Sequence, residues 1–328
     1  MHAELVDILR CPLSGGRLSL EHPEYQDDQV ISGWLVSADG EHRYPVRDSI
    51  PRFVPVSNYA DNFGMQWNRF RETQLDSHSR LSISHARFWK ATGWLSESIS
   101  SEWVLDVGCG AGRFAEVALN AGAKVLAVDY SNAVDACYQN LKRHPNLHVV
   151  QGDIYALPLR AEFFPFVYSL GVLQHTPDVA RAFASLPVMV RPGGSLCTDF
   201  YWKRLRSLMH AKYLWRPLTK RLAKHTLFAL LEKLVPTLLP ISQALGRIPV
   251  AGKALKRLLP LADYTGVYPL SADQLKEWAL LDTFDMLAPE YDSPQTRSTV
   301  QGWLEAAGLL DIEVFHEGHL VGRGRKPL

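Results

Sequence analysis

The sequence predicts an α/β protein organised round a doubly wound, largely parallel sheet. Three observations predict it. From residue 101 onward, short apolar runs alternate with amphipathic segments of helical period. Turn residues separate most of these segments, and the first apolar run ends in a glycine loop that opens a helix. Such a rhythm implies right-handed crossovers between parallel strands.

Residues 1–57 are turn-punctuated and β-rich, with alternation in "VISGWLVSA", and are expected to form a small separate sheet. Residues 58–100 are expected to be a helical cover segment. Within "YADNFGMQWNRFRETQLD", Phe63, Trp67 and Phe70 share a helical face. That helix either packs on the core through its rings or brings Gln66, Trp67 and Arg69 over a ligand.

The core follows at 101–202. "EWVLDV", "KVLAVD", "LHVVQGD", "FFPFVYSLGVL" and "SLCTDFYW" are five expected strands. Between them, one helix stops at Gly122, one opens at Ser131, and one is expected to be capped by Thr176 with Pro177 in its first turn. Residues 203–270 break this rhythm. They are basic and leucine-rich, with prolines at 217, 236, 240, 249 and 260, and read as several short helices inserted over the carboxyl ends of the strands. The core resumes at 271–328 with a capping box, Ser271 to Gln274, a further helix, and a closing hairpin of edge strands.

Composition describes an ordinary globular chain: 328 residues, 47% hydrophobic, formal charge +1. No signal peptide and no run of about 18 apolar residues is apparent, so a cytoplasmic protein without a membrane span is expected. Four scattered cysteines, Cys11, Cys109, Cys137 and Cys197, are expected to be reduced. The neutral total hides an asymmetry. Of 35 Lys and Arg and 34 Asp and Glu, 13 and 1 fall in residues 203–262, leaving 22 and 33 elsewhere. That block is net +12 and the rest −11. It is either a solvated helical face or a surface for an acidic partner, an anionic substrate or lipid. The acids of "LLDTFDMLAPEYDSPQT", Asp282, Asp285, Glu290 and Asp292, are its expected counter-charge, or else a cradle for a cationic or hydroxylated acceptor.

The loop "VLDVGCGAGRF" carries the functional signal. Gly108, Gly110 and Gly112 give G-x-G-x-G, one residue tighter than a dinucleotide fingerprint. Glycines permit close backbone approach, and the following helix offers N–H groups to an anion. The early third glycine and the preceding Asp106 favour the carboxylate of S-adenosylmethionine (SAM) over a pyrophosphate. Further strand ends agree. Asp129 is placed for two ribose hydroxyls, Asp153 for an adenine amino group with Ile154 on the ring, and the carbonyls of Ser169, Leu170 and Gly171 for an ammonium.

With "AVDYS", "QGDI", "YSLGVLQHTPD" and "VRPGG" at the expected intervals, about half the chain resembles the class I SAM-dependent methyltransferases. The resemblance implies a Rossmann-like seven-stranded sheet whose last strand is antiparallel, with SAM as cofactor. It places Asp106, Gly108, Cys109, Gly110 and Gly112 at the methionine end, and Tyr130 on an adenine face. "LVDILRCPLSGGRL" and "YPVRDSIPRFVP" resemble the zinc-ribbon-like tRNA-methyltransferase activator domain. Only Cys11 remains of its two cysteine pairs, so no metal is expected.

Methyl transfer needs alignment first, and a base only for a weak nucleophile. His175, just past the fourth strand, is the candidate base or acceptor-orienting group, or else a helix-opening residue satisfied by backbone. Tyr168 and Tyr201 end adjacent strands nearby and are lesser candidates. A small-molecule acceptor beneath a helical lid is the leading expectation. A carrier-bound acceptor docking through an acidic carrier protein is a rival. Nucleic acid is disfavoured, because "SLGVLQ" stands where base-amine methylation places an Asn/Asp-Pro-Pro-aromatic tetrad. Attack by SAM's own amino group, releasing methylthioadenosine, stays open, as does a SAM-binding assembly factor.

Overall fold

The computed structural model describes residues 1–55, 60–204 and 211–328. The expected junction at residues 57 and 58, and positions 205–210 of the insertion, lie outside the described residues.

A short helix α1 (Leu5–Ile8) precedes a four-stranded antiparallel sheet, β1 (Leu18–Gln26), β2 (Gln29–Ser37), β3 (Arg43–Arg47) and β4 (Ile50–Pro51). Four helices follow: α2 (Asp61–Arg69), α3 (Asp76–Ser79), α4 (Ile83–Thr92) and α5 (Ser96–Ile99). The core then alternates β5 (Trp103–Val107), α6 (Arg113–Asn120), β6 (Lys124–Asp129), α7 (Ala133–Leu141), β7 (Leu147–Gln151), β8 (Phe164–Ser169), α8 (Val179–Met189) and β9 (Val190–Phe200). Described helices of the insertion are α9 (Lys212–Thr219), α10 (Lys224–Gly246) and α11 (Gly252–Lys256). The chain closes with α12 (Ala272–Leu287), α13 (Arg297–Ala306), β10 (Leu310–Glu317) and β11 (His319–Arg325).

The seven-stranded sheet has the order β10-β11-β9-β8-β5-β6-β7, with β11 antiparallel to both neighbours. Strand order reverses between β5 and β8, so their carboxyl ends diverge into the crevice where open α/β sheets take ligands. β5, β6 and β7 are almost wholly buried because helices cover both faces, which is why they read as continuous apolar runs. Pro165 sits in β8 at a register shift toward β9, where a missing donor costs least.

The small sheet is welded to the large one. The Phe53 N–H donates to the Gln151 carbonyl (2.9 Å) and the Arg10 N–H to the Pro158 carbonyl (2.9 Å). Buried Arg52 reaches Gln151 Oε1 (3.0 Å) and Asp135 Oδ1 (2.6 Å). Leu5, Leu9, Val30 and Leu35 share one apolar core with Leu105, Leu126 and Val150. Cys11 Sγ lies 3.2 Å from the Tyr44 hydroxyl.

Local details depart from expectation at three places. Asp178, not Thr176, caps α8, accepting from the Arg181 N–H at 3.0 Å, while the Thr176 hydroxyl turns back to the Leu173 carbonyl. The insertion is not built only of short helices. α10 runs 23 residues through Pro236 and Pro240. Both prolines lie off the buried face of Leu227, Leu231, Val235 and Leu239, so the carbonyls that lose a donor sit where water can serve them. Finally, α10 does have the length and mean hydropathy (1.2) of a membrane-crossing helix, which a scan for uninterrupted apolar runs overlooked. One face of it is nevertheless committed to the core with Phe228 against Phe284 of α12.

Charge complementarity holds the insertion in place. Lys212 and Arg216 reach Asp292 at 2.7 and 3.9 Å. Arg216, Thr219 and Lys224 donate to the carbonyls of Met286, Leu287, Ala288 and Pro289, the otherwise open carboxyl end of α12.

Candidate active site

The loop after β5 depends on its glycines. Gly108 has φ +86°, and a Cβ there would stand 2.4 Å from the Val172 methyls. Gly112, at φ +92°, starts α6 and would place a Cβ 2.6 Å from Leu141 Cδ1. Both positions exclude a side chain by conformation and by space. α6 has no side-chain cap, so its first N–H groups and positive dipole end remain available to an anion.

Asp129 organises this loop. Its Oδ2 accepts from the Gly110 N–H (3.0 Å), and its Oδ1 accepts from the Ser131 N–H (2.8 Å) and hydroxyl (2.7 Å). Burial raises its pKa, and those hydrogen bonds oppose the rise. Trp67 of α2 covers the loop, its ring 3.3 Å from where a Gly110 Cβ would be.

Above the loop lies a cavity of about 840 Å³. Its floor includes Gly108, Cys109, Gly110, Asp129, Tyr130, Ile154, Leu170 and Gly171, all of them expected from sequence. His175 and Tyr201 stand in the same cavity. Their rings meet edge to face at 5.4 Å, and Phe63 packs on the other side of His175 at 5.4 Å. His175 Nδ1 lies 3.1 Å from the Tyr291 carbonyl. A carbonyl only accepts, so Nδ1 carries the proton and Nε2 keeps a lone pair. That Nε2 is buried and has no hydrogen-bond partner among the described residues. The Tyr201 hydroxyl is 3.4 Å from Asp285, and burial first, then the acids around it, push its pKa well above the usual phenol value. It stays protonated and is no base.

Seven expected residues do not line the cavity. Tyr168 is fully buried behind it, against Phe88 (5.2 Å) and Trp94 (6.2 Å), and its assignment as a catalytic candidate is corrected. Asp106 sits beside it in the sheet interior, where burial pushes its carboxyl up to about 7. Ser169, expected to offer its carbonyl, is fully buried at the end of β8, with its hydroxyl donating to the Val107 carbonyl at 2.8 Å. Asp153 turns its carboxylate to the Tyr155 N–H at 2.9 Å. Gly112 lies beneath the loop against Leu141. Gln66 is buried and does not line the cavity, and Arg69 leaves toward Glu232 (2.5 Å), so among the described residues of α2 Phe63 and Trp67 supply the cover.

Sequence reasoning missed the other half of the cavity. Arg87 of α4 pairs with Asp199 at 2.6 Å; burial opposes its charge, but Asp199 outweighs that and raises its pKa. Asp199 also accepts from the Gly171 N–H. Arg113 donates to Ser84 Oγ and Gln74 Oε1, both 2.8 Å, and burial lowers its pKa to about 10. Tyr264 and Tyr268 from the insertion stack at 5.4 Å and pack on Trp278. Asp282, bonded to the Tyr264 hydroxyl, is raised by burial to about 6. His319 lies over Tyr201 (5.6 Å), and burial lowers its pKa to about 4. The acids at 280–296 therefore divide: Asp292 holds the insertion, while Asp282 and Asp285 face the cavity.

The sheet order, the tight glycine loop and the acid ending the next strand define a class I methyltransferase fold. Comparison with known proteins agrees. The methyltransferase domain family matches residues 105–198, and the Trm112p-like protein family matches residues 2–49. A malonyl-[acyl-carrier protein] O-methyltransferase of Pseudescherichia vulneris is 33% identical over 147 residues, 45% of this chain and 56% of that protein. A ubiquinone biosynthesis O-methyltransferase of Coxiella burnetii is 31% identical over 101 residues, 30% of this chain and 43% of that protein. The match thus spans about half the length of these curated relatives. A magnesium protoporphyrin IX methyltransferase structure from Synechocystis aligns at TM-score 0.45 and 14% identity, covering 82% of this chain and 96% of that one. Residues 105–198 thus match the methyltransferase domain family, within a fold that is that of the class I SAM-dependent methyltransferases, whose cofactor is SAM. The residues present fit that cofactor: a cradle that any Cβ would fill, an uncapped helix start for a carboxylate, and Asp129 beside Tyr130 and Ile154 for the nucleoside.

Proposed function

We propose that the protein methylates a hydroxyl of a small-molecule acceptor held between the glycine loop and the helical insertion. One observation carries this reading. His175 lines the cavity, its Nδ1–H committed to the Tyr291 carbonyl and its ring clamped by Phe63 and Tyr201, which leaves the buried Nε2 without a partner among the described residues. Bound SAM supplies an activated methyl group. The chain's own residues do the rest. The uncapped start of α6 and Asp129 orient the cofactor, while Trp67 and the insertion exclude water. His175 Nε2 takes the hydroxyl proton as the acceptor oxygen becomes nucleophilic.

The aromatic wall of Tyr264, Tyr268 and Trp278 suits a ring or an unsaturated chain. A carrier-bound acceptor is the second reading, favoured by the relative named for a malonyl carrier protein together with the basic insertion.

Two measurements test the proposal. Incubated with SAM alone, the purified protein leaves it intact; accumulating methylthioadenosine would overturn methyl transfer. With a hydroxylated acceptor, His175→Gln lowers kcat by about 10²–10⁴ and leaves SAM affinity within a factor of about two. Unchanged turnover in that variant removes the base from the proposal.

A further inference from the structure

The insertion has an outward side that its fold does not explain. Eleven of the eighteen large hydrophobic side chains that stand exposed among the described residues belong to residues 211–270. That is a concentration, not the scatter normal on a protein surface.

They are also patterned. In α9, Arg216 and Thr219 turn inward to α12, while Leu214 (75% exposed), Trp215 (48%) and Leu218 (61%) turn out, continued by Leu222. In α10, Leu227, Leu231, Val235 and Leu239 face the core. Leu230, Leu234 and Ile241 form a second stripe at spacings of four and seven that flanks the buried one and stands in solvent. Both helices pack on α12, and the exposed side chains are not among the residues that make that contact. Lys220, Arg221, Lys233 and Arg247 of the same segment are exposed and without an ion pair among the described residues.

We infer that this side of the insertion docks on an anionic lipid bilayer, with the leucines and Trp215 entering the headgroup boundary and the free cations meeting lipid phosphates. An acidic carrier protein would answer the cations but leave the leucines in water. An apolar protein partner would bury the leucines and strand the charge. A bilayer interface offers both in one plane, and amphipathic helices with basic polar faces and Trp or Leu on the other lie in it. Interfacial Trp is the expected boundary residue. α10 satisfies the composition of a span, but its inward face is held by Phe284 and α12, so it lies on the membrane instead of crossing it.

The test is sedimentation of the full chain with vesicles of phosphatidylcholine containing phosphatidylglycerol, beside pure phosphatidylcholine. The protein is expected to pellet with the anionic vesicles and to show a blue-shifted tryptophan emission that Trp215→Phe abolishes. Leu214→Glu/Leu218→Glu and Lys220→Glu/Arg221→Glu each weaken partitioning by roughly tenfold or more, with circular dichroism and SAM binding unchanged. Three results overturn the inference. The first is no pelleting while an acidic acyl-carrier protein binds. The second is a solution dimer that the leucine variants dissociate, again without pelleting. The third is pelleting that the charge variant loses but the leucine variant keeps, which is adsorption without insertion.

Discussion

Asp106 and Tyr168 lie opposite one another on β5 and β8, their side chains facing each other in the buried interior of the sheet. Asp106 was legible as a site residue because it precedes the glycines, but in a strand the side-chain direction alternates, and its carboxyl is buried under the loop, not on it. The energetic consequence is specific. An aspartate ordinarily titrates near 3.9, and burial raises Asp106 to about 7. The group therefore favours the folded state fully below about pH 4 and loses that contribution as pH rises through about 7. In urea unfolding of the SAM-free protein, Asp106→Asn is expected to be more stable than the parent at pH 8 by a few kcal/mol (about 1–3), with the advantage shrinking toward pH 5. An equal difference at both pH values would show that the carboxyl is not held protonated. His175 is the opposite case. Its position after the fourth strand was readable, while the Tyr291 carbonyl that selects its tautomer comes from a segment 116 residues away.

At the scale of elements, the parallel strands and their helices were legible because each carries its own period. The capping box at Ser271 is present as spacing alone implied, with Gln274 returning to the Ser271 N–H at 2.9 Å. α10 was not legible as one helix. Proline propensity argued for breaks, and tertiary packing of one face against α12 outweighed it. That packing predicts a sharp contrast within one helix. Leu231→Ala, on the buried face, should cost about 2–5 kcal/mol, and Leu234→Ala, three residues on, less than about 0.5 kcal/mol. Thermal unfolding of the two variants settles it, and equal losses would mean that α10 packs differently.

At the scale of the whole molecule, the small sheet and the large one share a core and a set of buried bonds, so they unfold together. Calorimetry is expected to give one cooperative transition. Arg52→Ala, which strips Asp135 and Gln151 of their partner, should lower stability by about 2–4 kcal/mol without splitting that transition. A separate low-temperature transition would mean that residues 1–55 form an autonomous domain. The cavity is equally a property of the whole. Arg87, Tyr264, Trp278 and His319 converge on the glycine-loop residue Arg113 from four other stretches of chain, each unremarkable where it stands in the sequence.

What the sequence determined by itself was the part governed by local chemistry. Backbone freedom at Gly108 and Gly112, the acid ending β6, and the strand-helix rhythm specify a SAM loop wherever they occur together, because each acts within a few residues of itself. Only the tertiary structure decided which neighbours those residues meet. It buried Tyr168, turned Asp153 into a loop brace, paired Arg87 with Asp199 across 112 residues, and left the outer leucines of the insertion unpartnered. Burial and long-range pairing depend on how helices and strands pack, and that is written in the sequence only as a sum over the whole chain.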